Sequence, residues 1–148
     1  MVKTKRSPKQ ALAKYRIAFD SSLVRECGFT EREGYESMSG WLNEGNAPSA
    51  VFAANDPAAI GAMRAITEAG LRIPEDVAIV GGGNIHYGDM LKVPLTTVAW
   101  STLEMGQAAA QILIEMVEGK KKRKEHHIIV EPELVVRESC GAAKAVFV

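Results

Sequence analysis

The chain has 148 residues, the length of one ordinary domain, and its 47% hydrophobic and 24% charged residues exclude a disordered or collagen-like protein. Eighteen basic residues balance eighteen acidic ones, so no net charge attracts the whole chain to nucleic acid or to an anionic membrane. Two cysteines, Cys27 and Cys140, are too few for a disulfide framework, and no signal peptide or long apolar run is present. We therefore expect a cytoplasmic protein with no membrane partner.

The first predicted elements are short. The pattern predicts a helix over residues 11–15 and a strand over residues 21–27. A longer helix follows, because Thr30 is a good N-cap with Glu33 at the capping-box position, and Gly45 ends it. The apolar residues of this helix fall on one face: Tyr35, Met38, Trp41 and Leu42.

The middle of the chain alternates strands with helices. Residues 50–54, "AVFAA", are an apolar run typical of a parallel strand that is buried on both faces. Asp56 is the expected N-cap of the next helix, which Gly70 ends. Residues 73–76 predict a turn and residues 77–80 a second buried strand, after which the glycine triplet 81–83 is expected to form a loop.

The last third predicts a strand over residues 95–100 and a long helix from Ser101 to Gly119. The basic run 120–124, with His126 and His127 after it, is expected to be a solvated loop. Two late strands, 127–130 and 134–136, flank Pro132. Alternating strands and helices predict an α/β fold with a parallel sheet.

Polar residues and an aromatic residue follow three of the predicted strands. In a doubly wound sheet, ligands bind beyond the carboxyl ends of the strands, where Asn55, Gly83, Asn84 and Trp100 stand. Asn55 offers a hydrogen-bond donor and an acceptor to a ligand. The Asp56 carboxylate is instead expected to accept hydrogen bonds from backbone amides at the start of the helix. The triplet lacks the spacing of a dinucleotide motif, so a plain turn or a pocket wall is favoured over a phosphate cradle.

Nothing in the sequence favours catalysis or metal binding. A hydrolytic triad of His86, Asp89 and Ser101 has the right residue types. The sequence does not favour it, because no G-x-S-x-G motif is present. His126 and His127 are adjacent, and neighbouring strand residues point to opposite faces, so they do not readily share a metal. We expect no enzyme, no cofactor and no metal.

The order of four segments resembles the effector-binding domain of the lac repressor and galactose repressor family of bacterial transcription regulators. The segments are "SAVFAANDPAAIGAMRAITEAGLRIPEDVAIVG", "VPLTTV", "EMGQAAAQILIEMVEG" and "ELVVRES". The resemblance runs from about residue 12 to residue 139. Periplasmic solute-binding proteins share this fold, but the RIPEDV and LVVRES segments resemble the regulators.

The resemblance implies an incomplete three-layer lobe of the periplasmic-binding-protein-like type I fold. Residues 1–99 and 132–140 would form the second lobe of a two-lobed sensor, and residues 100–131 a crossover segment that belongs to the first lobe. The DNA-binding headpiece, nearly all of the first lobe, and the first helix and central strand of the second lobe are expected to be missing from this chain. A sheet and a crossover helix without those neighbours would expose apolar surface, so we expect marginal stability or association.

The resemblance also implies a mechanism and its residues. A small effector binds between the lobes, the sensor forms a homodimer, and a helix-turn-helix headpiece on the same protein binds operator DNA. Phe29 matches the family's stacking aromatic, and Asn55 its polar pocket residue. The implied effector-binding set is Phe29, Asn55, Gly83, Asn84 and Trp100. The implied dimer-interface set is Ile60, Met63 and Leu91.

Two departures from the family concern the pocket. The usual "GFDD" or "GYDN" is "GGGN" here, so Gly83 stands where the family has an aspartate that grips a hydroxyl or a purine ring. The family's pocket arginine would fall at Thr4, with Arg6 nearby. The alternative function is that of a periplasmic-type sugar- or solute-binding protein. A nucleotide-handling enzyme that uses the glycine triplet is a remote alternative.

Overall fold

A computed structural model of the chain describes residues 8–45, 47–119 and 128–142. Its single sheet has the order β1-β2-β3-β4, with strands at Ala50–Phe52, Ala78–Gly82, Thr96–Ala99 and Glu133–Val135. The first three strands are parallel, and β4 runs antiparallel to β3. The predicted α/β fold is confirmed, although its last strand reverses direction.

The helices begin and end near the predicted residues. They are α1 (Pro8–Lys14), α2 (Glu31–Asn43), α3 (Asp56–Glu68) and α4 (Thr102–Val117). At the start of α2 the Glu33 backbone N–H donates to Thr30 Oγ1 at 3.3 Å, and the Thr30 N–H donates to the Glu33 carboxylate at 3.1 Å. This is the predicted capping box, and it satisfies two N–H groups that have no partner inside the helix.

The core lies between the sheet and two of the helices. Helix α3 packs on β2, and α2 packs on α3. Met38, Ile66 and Ile79 are almost completely buried, each from a different element, and Leu95 joins them. The sheet and the α2–α3 layer are two layers of the expected incomplete lobe.

Helices α2 and α3 approach each other closely through two glycines. A Cβ atom added at Gly34 would lie 2.1 Å from the Ala58 carbonyl oxygen, and one added at Gly61 would lie 1.8 Å from the Glu31 carbonyl oxygen. Both distances are far below a van der Waals contact. Glycine in a helix interior is less stable than alanine by about 1 kcal/mol, so helix propensity does not explain Gly34 and Gly61. The close approach of the two helices does.

Two predicted strands are wrong. Residues 21–23 form a 3-10 turn, because the Asp20 carboxylate accepts hydrogen bonds from the Ser22 N–H at 2.8 Å and the Ser22 hydroxyl at 2.7 Å. Such local bonds compete with strand pairing. Residues 128–130 are not a strand either, and Pro132, which has no N–H to donate, stands directly before β4.

The expected double burial of the first strand is also wrong. Phe52 is 65% exposed and Ala50 is exposed, because they alternate with the core-facing Val51 and so lie on the opposite face of the sheet, which no described helix covers. Helix α4 likewise has no buried residue. Its apolar residues Leu103, Met105, Leu113, Ile114 and Val117 are between 49% and 80% exposed. The predicted bare apolar surface of this helix is therefore confirmed.

Candidate ligand-binding site

The carboxyl ends of β1, β2 and β3 lie side by side because the three strands are parallel. The segments that follow them are residues 53–56, 83–85 and 100–101. Thr4, Arg6, His126 and His127 lie outside the described residues. The remaining residues predicted to bind a ligand all belong to this edge of the sheet or, in the case of Phe29, to the loop before α2.

Asp56 is not the N-cap of α3, which corrects the sequence prediction. It is the first residue of the helix, and its carboxylate is 1% exposed. Oδ2 accepts a hydrogen bond from the Ile85 N–H at 2.7 Å, and Oδ1 accepts one from the Thr97 hydroxyl at 2.7 Å. One buried carboxylate thus ties the start of α3 to the loop after β2 and to strand β3.

Asn55 is the N-cap instead. Its Oδ1 accepts a hydrogen bond from the Ala58 N–H at 2.9 Å, and its Nδ2 donates to the Phe29 carbonyl oxygen at 2.8 Å. An amide side chain has two N–H donors and two acceptor lone pairs, so one of each remains for a ligand. Asn55 therefore links the loop that carries Phe29 to the edge of the sheet.

The three glycines of the triplet have different surroundings. A Cβ at Gly81 would lie 2.3 Å from Asp56 Oδ1, so the buried carboxylate excludes a side chain there. A Cβ at Gly82 would lie 3.2 Å from Trp100 Cη2. Gly83 has φ +125°, a backbone conformation that residues with side chains rarely adopt. The first two glycines belong to β2, so the predicted loop begins only at Gly83.

Asn84 is held by residues that the sequence reasoning missed. Its Oδ1 accepts a hydrogen bond from Arg137 Nη2 at 2.8 Å, and its N–H donates to Thr97 Oγ1 at 3.2 Å. Arg137 Nη1 also donates to the Leu95 carbonyl oxygen at 2.7 Å. The signals were present in the sequence as the double threonine of "PLTT" and the arginine of "LVVRES". Their partners lie 13 to 53 positions away, beyond the reach of a local pattern.

Ser139, also missed, joins the middle of the sheet to the end of the described chain. Its hydroxyl donates to the Ile79 carbonyl oxygen at 2.7 Å and accepts from the Thr96 N–H at 2.8 Å. Ser139 is completely buried. This hydroxyl bridges β2 and β3 near the starts of both strands, at the opposite end from the candidate site.

The candidate site is uncharged and partly aromatic. All five predicted binding residues are uncharged, while the Asp56 carboxylate is buried and the Arg137 guanidinium donates to Asn84 and Leu95. Phe29 is 72% exposed and Trp100 is 39% exposed. Two aromatic rings and two amides suit a neutral ligand with a ring face and a few polar groups.

The residues expected at a dimer interface differ in burial. Met63 is 8% exposed and belongs to the core of its own chain, whereas Ile60 and Leu91 are partly buried at the margin of that core. Burial of Met63 favours a core role for that residue. Ile60 and Leu91 keep exposed surface, and their place in an interface stays a prediction.

Two of the three residues of the rejected triad, Ser101 and His86, have other contacts in the structure. The Ser101 hydroxyl accepts a hydrogen bond from the Glu104 N–H at 3.2 Å and caps α4 as predicted, and His86 packs edge-on against Tyr87. Among the described residues, no group of three or more histidine, cysteine, aspartate or glutamate side chains could hold a metal ion. No helix in the described part of the chain is long and apolar enough to cross a membrane.

Residues 3–140 match the model of the periplasmic binding protein-like domain, which is most of the chain. The chain belongs to that family. Its mostly parallel sheet and the helix that Asn55 caps are therefore features of a periplasmic-binding-protein-like domain, and the candidate site lies at the carboxyl ends of the parallel strands.

The individual proteins that the chain matches are transcription regulators, the group that the sequence resembles. The chain is 37% identical over 132 residues to the HTH-type transcriptional repressor PurR of Haemophilus influenzae, and it spans 39% of that repressor. It also matches the transcriptional regulator CelR in its cellobiose complex, with a TM-score of 0.84, 32% identity, and coverage of 88% of this chain and 40% of CelR.

A third match is the lac repressor dimer bound to operator and the anti-inducer ONPF. The TM-score is 0.77, the identity is 30%, and the match covers 87% of this chain and 38% of the lac repressor. The resemblance to the lac repressor family is confirmed. The chain spans about two fifths of each of these relatives, in the part that forms their effector-binding domain.

Proposed function

We propose that the chain is the effector-binding part of a transcription regulator and carries no catalytic activity. The observation that carries the proposal is the candidate site, where Asn55, Asn84 and Trp100 at the edge of the sheet and Phe29 in the loop before α2 supply ring faces and amides without a free charge. The relatives support it, because PurR and the lac repressor are repressors and CelR is a transcriptional regulator that was solved with cellobiose.

In this proposal residues 1–99 and 132–140 supply one wall of the site, and residues 100–131 cross to a second lobe. The ligand would lie between the lobes and favour their closed arrangement. A ligand can shift such an equilibrium only by its difference in affinity for the two arrangements. The closure would then change a homodimer interface that includes Ile60 and Leu91, and through it the affinity of a helix-turn-helix headpiece for operator DNA in the cytoplasm.

Binding of small neutral probes to the 148-residue chain tests the proposal. Cellobiose and adenine both present ring faces, and sorbitol is the acyclic control. Ligand-observed NMR, which detects weak binding to a single wall, is expected to show binding of at least one ring probe. Absence of binding by both would overturn the proposal.

Two variants locate the binding. Phe29→Ala is expected to weaken binding of the ring probe roughly tenfold, the upper range of an aromatic stacking contribution. Tyr15→Ala removes an equally exposed aromatic from the end of α1 and serves as the matched control, with no change expected. Equal binding by both variants would argue against Phe29 as a site residue.

The enzyme alternative has its own test. If the glycines held a phosphate through close backbone approach, Gly83→Asp would abolish turnover of a nucleotide. Under the sensor proposal no turnover is expected before or after the change, and a phosphate-release assay with ATP and GTP distinguishes the two.

A further inference from the structure

The indole ring of Trp100 lies in the space that a side chain at residue 82 would occupy. A Cβ atom added at Gly82 would lie 3.2 Å from Trp100 Cη2 and 3.3 Å from Trp100 Cζ3, both on the six-membered ring. A Cβ at Gly83 would lie 3.7 Å from Trp100 Cζ2. The same edge of the indole therefore rests on the end of β2.

The backbone of Gly82 does not itself require glycine. Gly82 belongs to β2, is paired with Val98 of β3, and its φ lies outside the left-handed region. Glycine weakens a strand interior, and it often marks a place where another group approaches the backbone closely. Here the closest groups are the Trp100 ring and the Ala54 carbonyl oxygen, at 3.3 Å.

Trp100 stands where the sheet ends and α4 begins. It follows Ala99, the last residue of β3, and precedes Ser101, the N-cap of α4. Its partial exposure of 39% leaves ring surface over residues 82 and 83, next to Asp56 and Arg137, whose charged groups are engaged in hydrogen bonds. Ring surface is thus the main recognition feature at this end of β2.

We propose that Gly82 is a positioning residue that acts through Trp100. Because Gly82 has no side chain, the indole lies along the end of β2, where it selects ligands that have a flat ring face over acyclic, hydroxyl-rich ligands. A larger side chain at position 82 displaces the indole from the sheet, slightly for alanine and further for a branched side chain such as leucine. This inference rests on the proposed function, since it concerns the preference of the same site.

The position of the indole can be measured without a ligand. The chain has two tryptophans, so Trp41→Phe leaves Trp100 as the only one. In that background, Gly82→Leu is expected to raise acrylamide quenching of Trp100 about twofold and to shift its emission to longer wavelength, because the ring becomes more exposed. Gly82→Ala, whose Cβ conflicts by only a few tenths of an ångström, is expected to produce a smaller change in the same direction.

Gly106→Ala is the matched control, because an added Cβ there meets no atom within 4 Å. It is expected to leave the quenching unchanged. Quenching that is equal in Gly82→Leu, Gly82→Ala and Gly106→Ala would overturn the inference. If Gly82→Leu fails to fold, as judged by circular dichroism, the alanine variant alone decides.

A ligand experiment tests the consequence for selectivity. Gly82→Leu and Trp100→Ala are each expected to weaken binding of the ring probe about fivefold, and the double variant no further, because both remove the same stacking surface. Trp100→Phe is expected to retain most of the affinity. Sorbitol binding is expected to change in none of them.

The outcomes separate this inference from the proposed function. Ring-probe binding that is unchanged in Gly82→Leu overturns the role of Gly82 and leaves the proposed function standing. Additive losses in the double variant also overturn it, because they mean that the two residues act separately. Failure of both cellobiose and adenine to bind the unaltered chain overturns the proposed function and the selectivity inference together.

Discussion

At the scale of single residues, a buried carboxylate organises the edge of the sheet at which the candidate site lies. Asp56 takes one hydrogen bond from the loop after β2 and one from β3, and it also prevents a side chain at Gly81. Asn55 meanwhile performs the capping that the sequence favoured for Asp56. Asparagine and aspartate are both good N-cap residues, so residue type alone does not say which of the two caps α3. The structure decides it, because Ile85 and Thr97 lie where they donate to the Asp56 carboxylate.

Replacing Asp56 tests this role. Asp56→Ala leaves the Ile85 N–H and the Thr97 hydroxyl without their acceptor, and each unsatisfied buried group costs about 1–3 kcal/mol, so a loss of roughly 2–6 kcal/mol is expected. Urea unfolding measures it. Asp89→Ala, at an exposed position, is the control, and a stability of Asp56→Ala equal to that of this control would contradict the role.

A second residue-scale prediction concerns pH. Hydrogen bonds from the Arg72 side chain and backbone lower the pKa of Asp76 from 3.8 to about 2. A lowered folded-state pKa stabilises the fold above pH 3.8, and this contribution is lost as the pH falls toward 2. Asp76→Asn should therefore have a flatter decline in urea midpoint between pH 4 and pH 2 than the unaltered chain. Asp89→Asn should follow the unaltered chain, and a parallel decline in Asp76→Asn would contradict the prediction.

At the scale of elements, the contact between α2 and α3 depends on two glycines that intrinsic helix propensity disfavours. Gly34 and Gly61 allow the backbones of the two helices to approach until carbonyl oxygens lie where Cβ atoms would be. Eight residues of α3 are buried, and they include Gly61. Tertiary packing thus outweighs local propensity at this contact.

Two glycine-to-alanine changes in different helices test that statement. Gly61→Ala is expected to destabilise the chain by about 1–3 kcal/mol or more, because its Cβ would overlap the Glu31 carbonyl. Gly106→Ala in α4 meets open space and is expected to stabilise by up to about 1 kcal/mol. Urea unfolding of both variants gives the comparison, and effects of the same sign would contradict it.

At the scale of the whole molecule, the apolar surface is divided unequally. Met38, Ile66 and Ile79 form a buried core on one side of the sheet, whereas α4 has no buried residue and exposes its apolar side chains. Exposed apolar patches of this kind promote association. The chain is therefore expected to form concentration-dependent oligomers.

Charges placed on α4 test this expectation. Leu113→Lys combined with Val117→Lys is expected to shift the sedimentation coefficient toward that of the monomer, without lowering core stability, because both side chains are more than 60% exposed. Gln107→Lys adds charge at an exposed polar position of the same helix and serves as control. A monomeric unaltered chain with a cooperative urea transition at an ordinary midpoint would contradict the expectation.

Local patterns predicted the helices well and the site in part. The capping box of Thr30, the end of α2 at Gly45 and the Ser101 cap depend on residues within four positions of each other, so the sequence displays them directly. The strand expected at residues 21–27 failed because a serine hydroxyl and an aspartate formed a local turn, which strand propensity does not include.

The sequence by itself determined the α/β alternation, the family resemblance and the edge at which Asn55, Asn84 and Trp100 stand. Only the tertiary structure decided what each member of the glycine triplet does. A side chain at residue 81 would overlap the Asp56 carboxylate, 25 positions earlier, and one at residue 82 would press on the Trp100 indole, 18 positions later. Gly83 is favoured by its own backbone angle. The first two requirements come from contacts between distant segments, and such contacts leave no periodic trace along the chain.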